Sequence, residues 1–333
     1  MNSRRATGAD VARVAGVSKS AVSRAYTGGV VSDEARRRIM EAARILRYRP
    51  NASARSLITS RSRLLGLAIT SLDNQFYPAL VEQLHECAAA AGYRIVLFIT
   101  HGEAGLDPVL EELMGYQLDG VILASSSLAT RVARECIEAG VPVVMLNNID
   151  PEGQISGVCA DSEHGACAIA DFLLAQGRRR LGLITGLSES SAAVERAFHF
   201  TRAVAEHPDA RLLSACGHFT AEGAYQAARD LLERDDPADS LFCVTDFMAI
   251  FALQAVRDLG LTPGKDVAVL GFDDAPVASW SAFDLSTYAS PLQEMVETTL
   301  ELLQKQIDGE AAAGVVRLKG RLVIRGSGIC RAP

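Results

Sequence analysis

Beyond Leu64 the chain repeats one alternation: a short, almost wholly apolar run, then a longer segment in which apolar residues recur at helical spacing. The runs "LLGLAI", "YRIVLFIT", "DGVILAS" and "VPVVMLN" predict buried strands, with helices between them over about 77–91, 108–116 and 128–139. A second round begins at the helical "GACAIADFLLAQG". It continues through the strand "RRLGLITG", a helix containing Arg196, and the strands "LFCVTD" and "DVAVLGFDD". Strands that alternate with helices form parallel sheets with right-handed crossovers. Two rounds predict an α/β core of two doubly wound parallel-sheet lobes, with a ligand cleft where the strands end.

The first sixty residues follow another pattern. In "TGADVARVAGVSKSAVSRAYTGG", Thr7 followed by Asp10 reads as a capping box, with Val11, Val14 and Ala15 as the apolar face and Gly16 as the stop. Ser18 caps a second helix whose Ala21, Val22 and Ala25 point inward and whose Lys19, Ser20, Ser23 and Arg24 point outward. A third helix runs from about Ser32 to Leu46. Two short helices across a tight turn, supported by a third, predict an all-α helix-turn-helix head.

Charge sharpens that reading. Residues 1–63 hold 14 Lys and Arg against 4 Asp and Glu, a net +10, while the remainder carries 19 basic and 36 acidic residues, a net −17. A basic, ordered head on an acidic body is the electrostatic footprint of a nucleic-acid-binding module. Lys19 and Arg24 have the reach and the donors for guanine edges in a major groove, and Ser20 suits a shorter base contact. Thr7, Ser18, Ser23 and the arginines around Arg36 suit phosphates.

Other chemistries find no support. The six histidines show no metalloprotease spacing, and no G-x-S-x-G, G-x-G-x-x-G or P-loop pattern occurs. The seven cysteines are scattered, with no C-x-x-C pair, which predicts reduced thiols and neither a metal nor a disulfide framework. No run is long and apolar enough for a membrane span, and Met1 to Asp10 lack the apolar segment of an export signal. The expectation is a cytoplasmic protein without a membrane partner, cofactor or metal. A free sugar-uptake binding protein is disfavoured by the missing export segment and by the basic head. An enzyme on a doubly wound fold is disfavoured by the absence of paired catalytic spacing; Asp273-Asp274 is its sole prompt.

The string T-x-x-D-V-A-x-x-A-G-V-S-x-x-x-V-S-R, carried by Thr7, Asp10 to Ala12, Ala15 to Ser18 and Val22 to Arg24, resembles the DNA-binding motif of the lactose-repressor (LacI/GalR) family. "YRPNASARSLITSRSR" resembles that family's hinge helix. The resemblance implies minor-groove contacts from Asn51 and Ala54, with Leu57 as an apolar wedge between base steps. A hinge of that length is too short to be stable alone and is expected to fold on DNA against its dimer mate. The rest, to about Gly328, resembles the family's periplasmic-sugar-binding-protein-like core through "LLGLAITSLDNQFY", "YQLDGVILAS", "ADSEHGA" and "FCVTDFMAIFALQAVRDLGLTPGKDVAVLGFDDAPVASW".

The resemblance therefore implies a head over 1–49, a hinge over 50–62 and an effector-binding, dimerising core over 63–333. Its first lobe takes 63–162 and 291–321; the second takes 163–290 and 322–333. It implies cleft contacts from Phe76, Tyr77, Ser125, Asn147, Asp161, Ser190, Arg196, Phe219, Asp246 and Asp273. Arginine and carboxylate groups share hydrogen bonds with vicinal hydroxyls, and aromatic faces cover a sugar's apolar side. Asp161 and Asp246 serve equally well as helix caps. Departures from the family pattern are Thr27 in place of Asn, Ser71 and Gln75 in the first-lobe turn, and Asn147 in place of an acid. Trp280 is expected to pack. The expected function is a homodimeric, operator-binding transcriptional repressor controlled by a small carbohydrate-like effector.

Overall fold

The computed structural model describes residues 6–27, 29–49, 61–100, 106–124, 129–310 and 314–329. The chain divides into two units, Met1–Arg63 and Leu64–Pro333.

In the first unit, three helices, α1 (Gly8–Ala15), α2 (Lys19–Thr27) and α3 (Asp33–Ile45), enclose a small core. The Thr7 hydroxyl accepts from the Asp10 amide, and the Asp10 carboxylate accepts from the Thr7 amide at 3.0 Å, closing the capping box. Those contacts with Thr7, joined by Arg13, hold the Asp10 carboxyl down at about 2. Gly16 ends α1 in the left-handed region at φ 64°, which glycine reaches without a steric penalty. Ser18 and Ser32 cap α2 and α3 through the amides of Ala21 and Ala35. The buried face of α1 is Val11, Ala12 and Ala15, and Val14 points outward with half its surface exposed, contrary to the sequence expectation. In so short a helix, Ala12 takes the inward place one position round.

The second unit holds two six-stranded sheets. The first contains β1 (Leu64–Ile69), β2 (Arg94–Ile99), β3 (Gly120–Leu123), β4 (Val143–Leu146), β5 (Gly157–Ala160) and β11 (Val315–Leu318), in the order β11-β5-β4-β3-β1-β2. The second contains β6 (Arg180–Thr185), β7 (Arg211–Cys216), β8 (Ser240–Cys243), β9 (Ala268–Asp273), β10 (Ser286–Ala289) and β12 (Arg321–Val323), in the order β12-β10-β9-β8-β6-β7. Every pairing is parallel except β10 with β12. Leu65 lies opposite both Ile95 and Gly120, and Gly182 opposite both Leu213 and Leu241. The inner strands β1, β3, β4, β8 and β9 are buried on both faces and therefore read as continuous apolar runs rather than as alternations.

The chain passes between the sheets three times: between Ala160 and the helix Ser162–Ala175, between Ala289 and the helix Leu292–Ile307, and between Leu318 and Arg321. Ser162–Ala175 packs on Ser191–Ala205 and on β9 and β12; Leu292–Ile307 packs on Phe76–Ala90 and on β3, β4 and β5. Gly165 lets the first of these helices close on the second sheet, because a Cβ there would lie 2.6 Å from the Phe272 ring. Phe272 and Tyr288, both fully buried, pack against each other with ring centres 4.8 Å apart and planes tilted by 40°. Aliphatic burial dominates: Leu65, Leu67, Leu80 and Leu84 are almost completely enclosed, each contributing about 1.5–3 kcal/mol. Parallel strands bring their carboxyl ends to one side of each sheet. The residues just past β1, β4, β8 and β9 thereby meet.

Candidate functional site

That meeting place is a cavity of about 200 Å³ lined from both lobes. The first lobe contributes residues of the turn after β1, from Thr70 and Ser71 through Asp73 and Asn74 to Phe76 and Tyr77, and Asn147 and Asn148 after β4. The second contributes Ser190, Ala192, Ala193 and Arg196, with Phe219, Thr245, Phe247 and Asp273. Ser190 and Thr245 cap the helices Ser191–Ala205 and Asp246–Asp258 through the amides of Ala193 and Met248.

Arg196 is the polar centre and is only 2% exposed. Its Nη1 donates to the Val244 carbonyl at 2.7 Å, and its Nη2 donates to Asp273 Oδ1 at 3.0 Å and to Asn147 Oδ1 at 3.3 Å. The guanidinium carbon lies 3.7 Å from the centre of the Phe272 ring. Such stacking adds to the ion pair in a desolvated setting. Arg196 Nε is buried with no partner among the described residues. Burial pushes the Asp273 carboxyl up while Arg196 opposes the shift. Burial also pushes the Tyr77 phenol up to about 12, keeping it a neutral hydrogen-bonding group. Three of the lining residues lie in unusual backbone conformations, Asn147 at φ 57°, Phe219 at φ 55° and Asp273 at φ 120°. Non-glycine residues held there mark sites where the surroundings over-determine the backbone.

The Phe219 ring lies flat against Gly186, where a Cβ would come within 2.0 Å of its tip. Gly186 thus gives the ring its seat. The helix Ser191–Ala205 makes several contacts between lobes beside the cavity. Ser191 Oγ accepts from the Ile149 amide and lies 3.1 Å from Asn148 Oδ1, Arg196 reaches Asn147, and Glu195 takes both terminal nitrogens of Arg317 at 2.7 Å.

Of the cleft residues expected from sequence, Phe76, Tyr77, Asn147, Ser190, Arg196, Phe219 and Asp273 are brought together here. Asp161 and Asp246 lie elsewhere. Asp161 caps the helix Ser162–Ala175, its Oδ1 accepting from the His164 amide at 2.9 Å. Asp246 is turned inward, accepting from the Ala275 amide at 2.7 Å and from the Thr287 hydroxyl at 2.5 Å. Burial, then the charge of Asp273, push its carboxyl up to about 7. Ser125 lies outside the described residues, as do Asn51, Ala54 and Leu57 of the hinge. Trp280, expected to pack, is 59% exposed.

On the head, Lys19, Ser20 and Arg24 are exposed along α2, with Ser18 and Thr7 exposed at the helix starts and Ser23 half-buried. Gly29 runs against the Arg24 stem, where a Cβ would lie 2.9 Å from its Cγ. Arg36 does not project for a phosphate. It donates to the carbonyls of Ala25 and Gly29, bracing the turn after α2, while its neighbours Arg37 and Arg38 are exposed.

Residues 9–51 match the model for bacterial regulatory proteins of the lacI family, and residues 170–328 match a periplasmic-binding-protein-like domain. The transcriptional regulator CelR of Thermobifida fusca is 32% identical, over 98% of this chain and 99% of that one. The chain belongs to the lacI family. A second relative, a ribose operon repressor of Halalkalibacterium halodurans, is 31% identical over 90% of this lacI-family chain and 89% of its own. Among solved structures, a CelR–cellobiose complex superposes with a TM-score of 0.74 at 28% identity, covering 97% and 100% of the two chains. A lac repressor dimer bound to operator and the anti-inducer ONPF superposes at 0.88 over 98% and 100%, and at 24% identity this likeness shows the fold.

The lacI-family cleft also contains residues not expected there from sequence, Thr70, Asp73, Asn74, Asn148, Thr245 and Phe247, together with Ser71, noted above only as a departure from the family pattern. Four of them belong to one turn. Ser71 Oγ donates to Asp73 Oδ2 and accepts from the Asp73 amide, and Asn74 Oδ1 accepts from the Phe76 amide. The polar string "TSLDN" directly before the aromatic pair was the available signal, since such residues build turns through their own side chains.

Proposed function

We propose that this chain is a cytoplasmic, homodimeric transcriptional repressor that reads an operator through α2 and is controlled by a small carbohydrate-like effector held in the cleft. The observation that carries the reading is the Arg196–Asp273 pair at the cleft's centre, roofed by Phe219 and Phe76, in a chain that also presents Lys19, Ser20 and Arg24 on an exposed helix. A buried donor beside a buried acceptor suits adjacent hydroxyls, and the flanking rings suit the apolar side of a sugar. The relatives' names, a ribose operon repressor and a cellobiose-bound regulator, support the same ligand class.

On this reading Lys19, Ser20 and Arg24 contact base edges, and Thr7, Ser18 and Ser23 contact phosphates, which supply most of the affinity and its salt dependence. Asn51, Ala54 and Leu57 are minor-groove residues by motif. Two heads on a dimer read a near-palindromic site. Effector bound between the lobes favours their closed arrangement, and the resulting shift between first lobes alters how the two hinges are presented. Operator and effector must then change each other's affinity by the same factor. The cleft performs binding rather than turnover. On this reading its buried carboxyl, Asp273, is held by Arg196 at 3.0 Å as part of a binding pair for ligand hydroxyls.

The test is selection of binding sites from random duplexes by the full-length protein, repeated with a sugar library. The expected result is enrichment of one near-palindromic sequence, with occupancy changed by a subset of sugars that are recovered unaltered. Equal binding to all duplexes at moderate salt, with or without sugars, overturns the proposal.

A further inference from the structure

We propose that the cleft selects an uncharged, polyhydroxylated effector and rejects phosphorylated or carboxylated ones; this deepens, and rests on, the reading of the cleft as the effector site. Among the described lining residues only Asp73, Arg196 and Asp273 carry charge. Arg196 is the sole cation among them, and its charge is already matched. It is ion-paired to Asp273 at 3.0 Å with both side chains almost wholly buried, and it also donates to two neutral carbonyl oxygens, those of Val244 and the Asn147 side chain. A second carboxyl, Asp246, lies behind the pair, bonded to the amide of Ala275 just beyond Asp273. Asp73 stands exposed on the first-lobe side. An entering phosphate or carboxylate therefore meets a pair with no net charge and the exposed carboxylate of Asp73, with no uncommitted cation among the described lining residues, an arrangement that penalises an anion.

At the helix N-termini beside the cleft, the Ser190 and Thr245 hydroxyls accept from the amides of Ala193 and Met248, so one first-turn donor of each helix is already engaged. Asn147 adds a neutral amide, and its oxygen is occupied by Arg196.

A neutral diol meets a complementary site instead. Asp273 Oδ1 takes Arg196 and Ser290, leaving Oδ2 to accept a hydroxyl. The guanidinium has N–H groups beyond its three bonds, able to donate to the neighbouring oxygen. Phe219 and Phe247 cover the carbon face without charge. The pair acts as one acceptor and one donor whose net charge is zero.

The experiment is calorimetric titration of the full-length protein with matched sets: glucose, glucose 6-phosphate and gluconate; ribose and ribose 5-phosphate; cellobiose and cellobionate. Within any set that binds, the neutral member is expected to bind at least about tenfold more tightly than its charged counterparts. Asp273→Asn leaves Arg196 unmatched and is expected to shift that ratio about tenfold toward the phosphate ester. Asp73→Asn, at an exposed position where folding is not at stake, is expected to narrow it about twofold. A charged member that binds the wild type as tightly as its neutral partner, or unchanged ratios in both variants, overturns the selectivity. If no member of any set binds while operator binding is intact, the effector reading falls, and the selectivity with it.

Discussion

Replacing Arg196 by methionine tests the energetic heart of the cleft. Methionine keeps an unbranched stem against the Phe272 ring but removes the cation, the 2.7 Å bond to the Val244 carbonyl and the ion pair to Asp273. Asp273 is then a buried carboxyl whose remaining side-chain partner is Ser290 at 3.4 Å. Breaking a buried pair from one side costs about 3–5 kcal/mol, because the surviving charge is left without compensation. The double change Arg196→Met with Asp273→Asn removes both charges, and the coupling places its cost well below the sum of the single changes. The sign with pH follows from the Asp273 shift, which burial drives upward and Arg196 opposes. Without Arg196 the folded-state pKa rises further above the unfolded value. Stability is then fully present at pH below the unfolded carboxyl range and is lost as pH rises through the folded pKa. The Met variant should accordingly be nearest to wild type in mild acid and furthest from it above neutrality. Urea unfolding followed by circular dichroism at several pH values measures this. A loss under about 1 kcal/mol for the single variant, or full additivity in the double, refutes the argument.

Asp246 offers a separate pH test, because its carboxyl is raised to about 7 from 3.8. Between those values the folded chain holds a proton that the unfolded chain releases, so this group's contribution falls as pH rises through that window. Asp246→Asn should gain stability relative to wild type from pH 4 to 7 and then level off; a difference that is flat with pH removes the claim. Gly186→Ala drives a methyl group into the Phe219 ring and should weaken effector binding about tenfold in calorimetry, while operator affinity without effector stays unchanged. An unchanged effector affinity would show that the ring does not cover the ligand. Arg24→Ala should weaken operator binding by about 1–3 kcal/mol and relax the preference at one base pair. Equal loss on every duplex in a competition assay would make Arg24 a phosphate contact.

What could be read in advance differs between elements for physical reasons. The Thr7–Asp10 box, the Gly16 stop and the Ser18 and Ser32 caps are local devices, each complete within one turn of chain, and the structure has all of them. The apolar runs of β1, β3, β4, β8 and β9 were legible because strands buried on both faces need no alternation. Strands β10, β11 and β12 are short and are broken by polar or charged residues, as in "STYA", "VVRL" and "RLV", so they carry no continuous apolar run to stand out. Asp246 followed a strand end and read as a cleft residue. Its inward turn depends on Gly271, whose missing side chain leaves room where a Cβ would come within 2.2 Å of Oδ1. Such an exchange of space between distant positions has no local trace. Val14 and Arg36 are instances of the same kind: one turned out because Ala12 turned in, the other captured by carbonyls from a neighbouring helix end.

The first two turns of the helix Ser191–Ala205 bear Ser191, Glu195 and Arg196, each bonded to the opposite lobe, and Arg196 also borders the ligand space. Recognition and clasp are therefore written on the same short ribbon of backbone. Re-engineering the recess for another metabolite by substitution along that ribbon will displace the unliganded resting balance as well, so a redesigned sensor inherits an altered basal output unless a compensating change is made at Arg317 or Asn148.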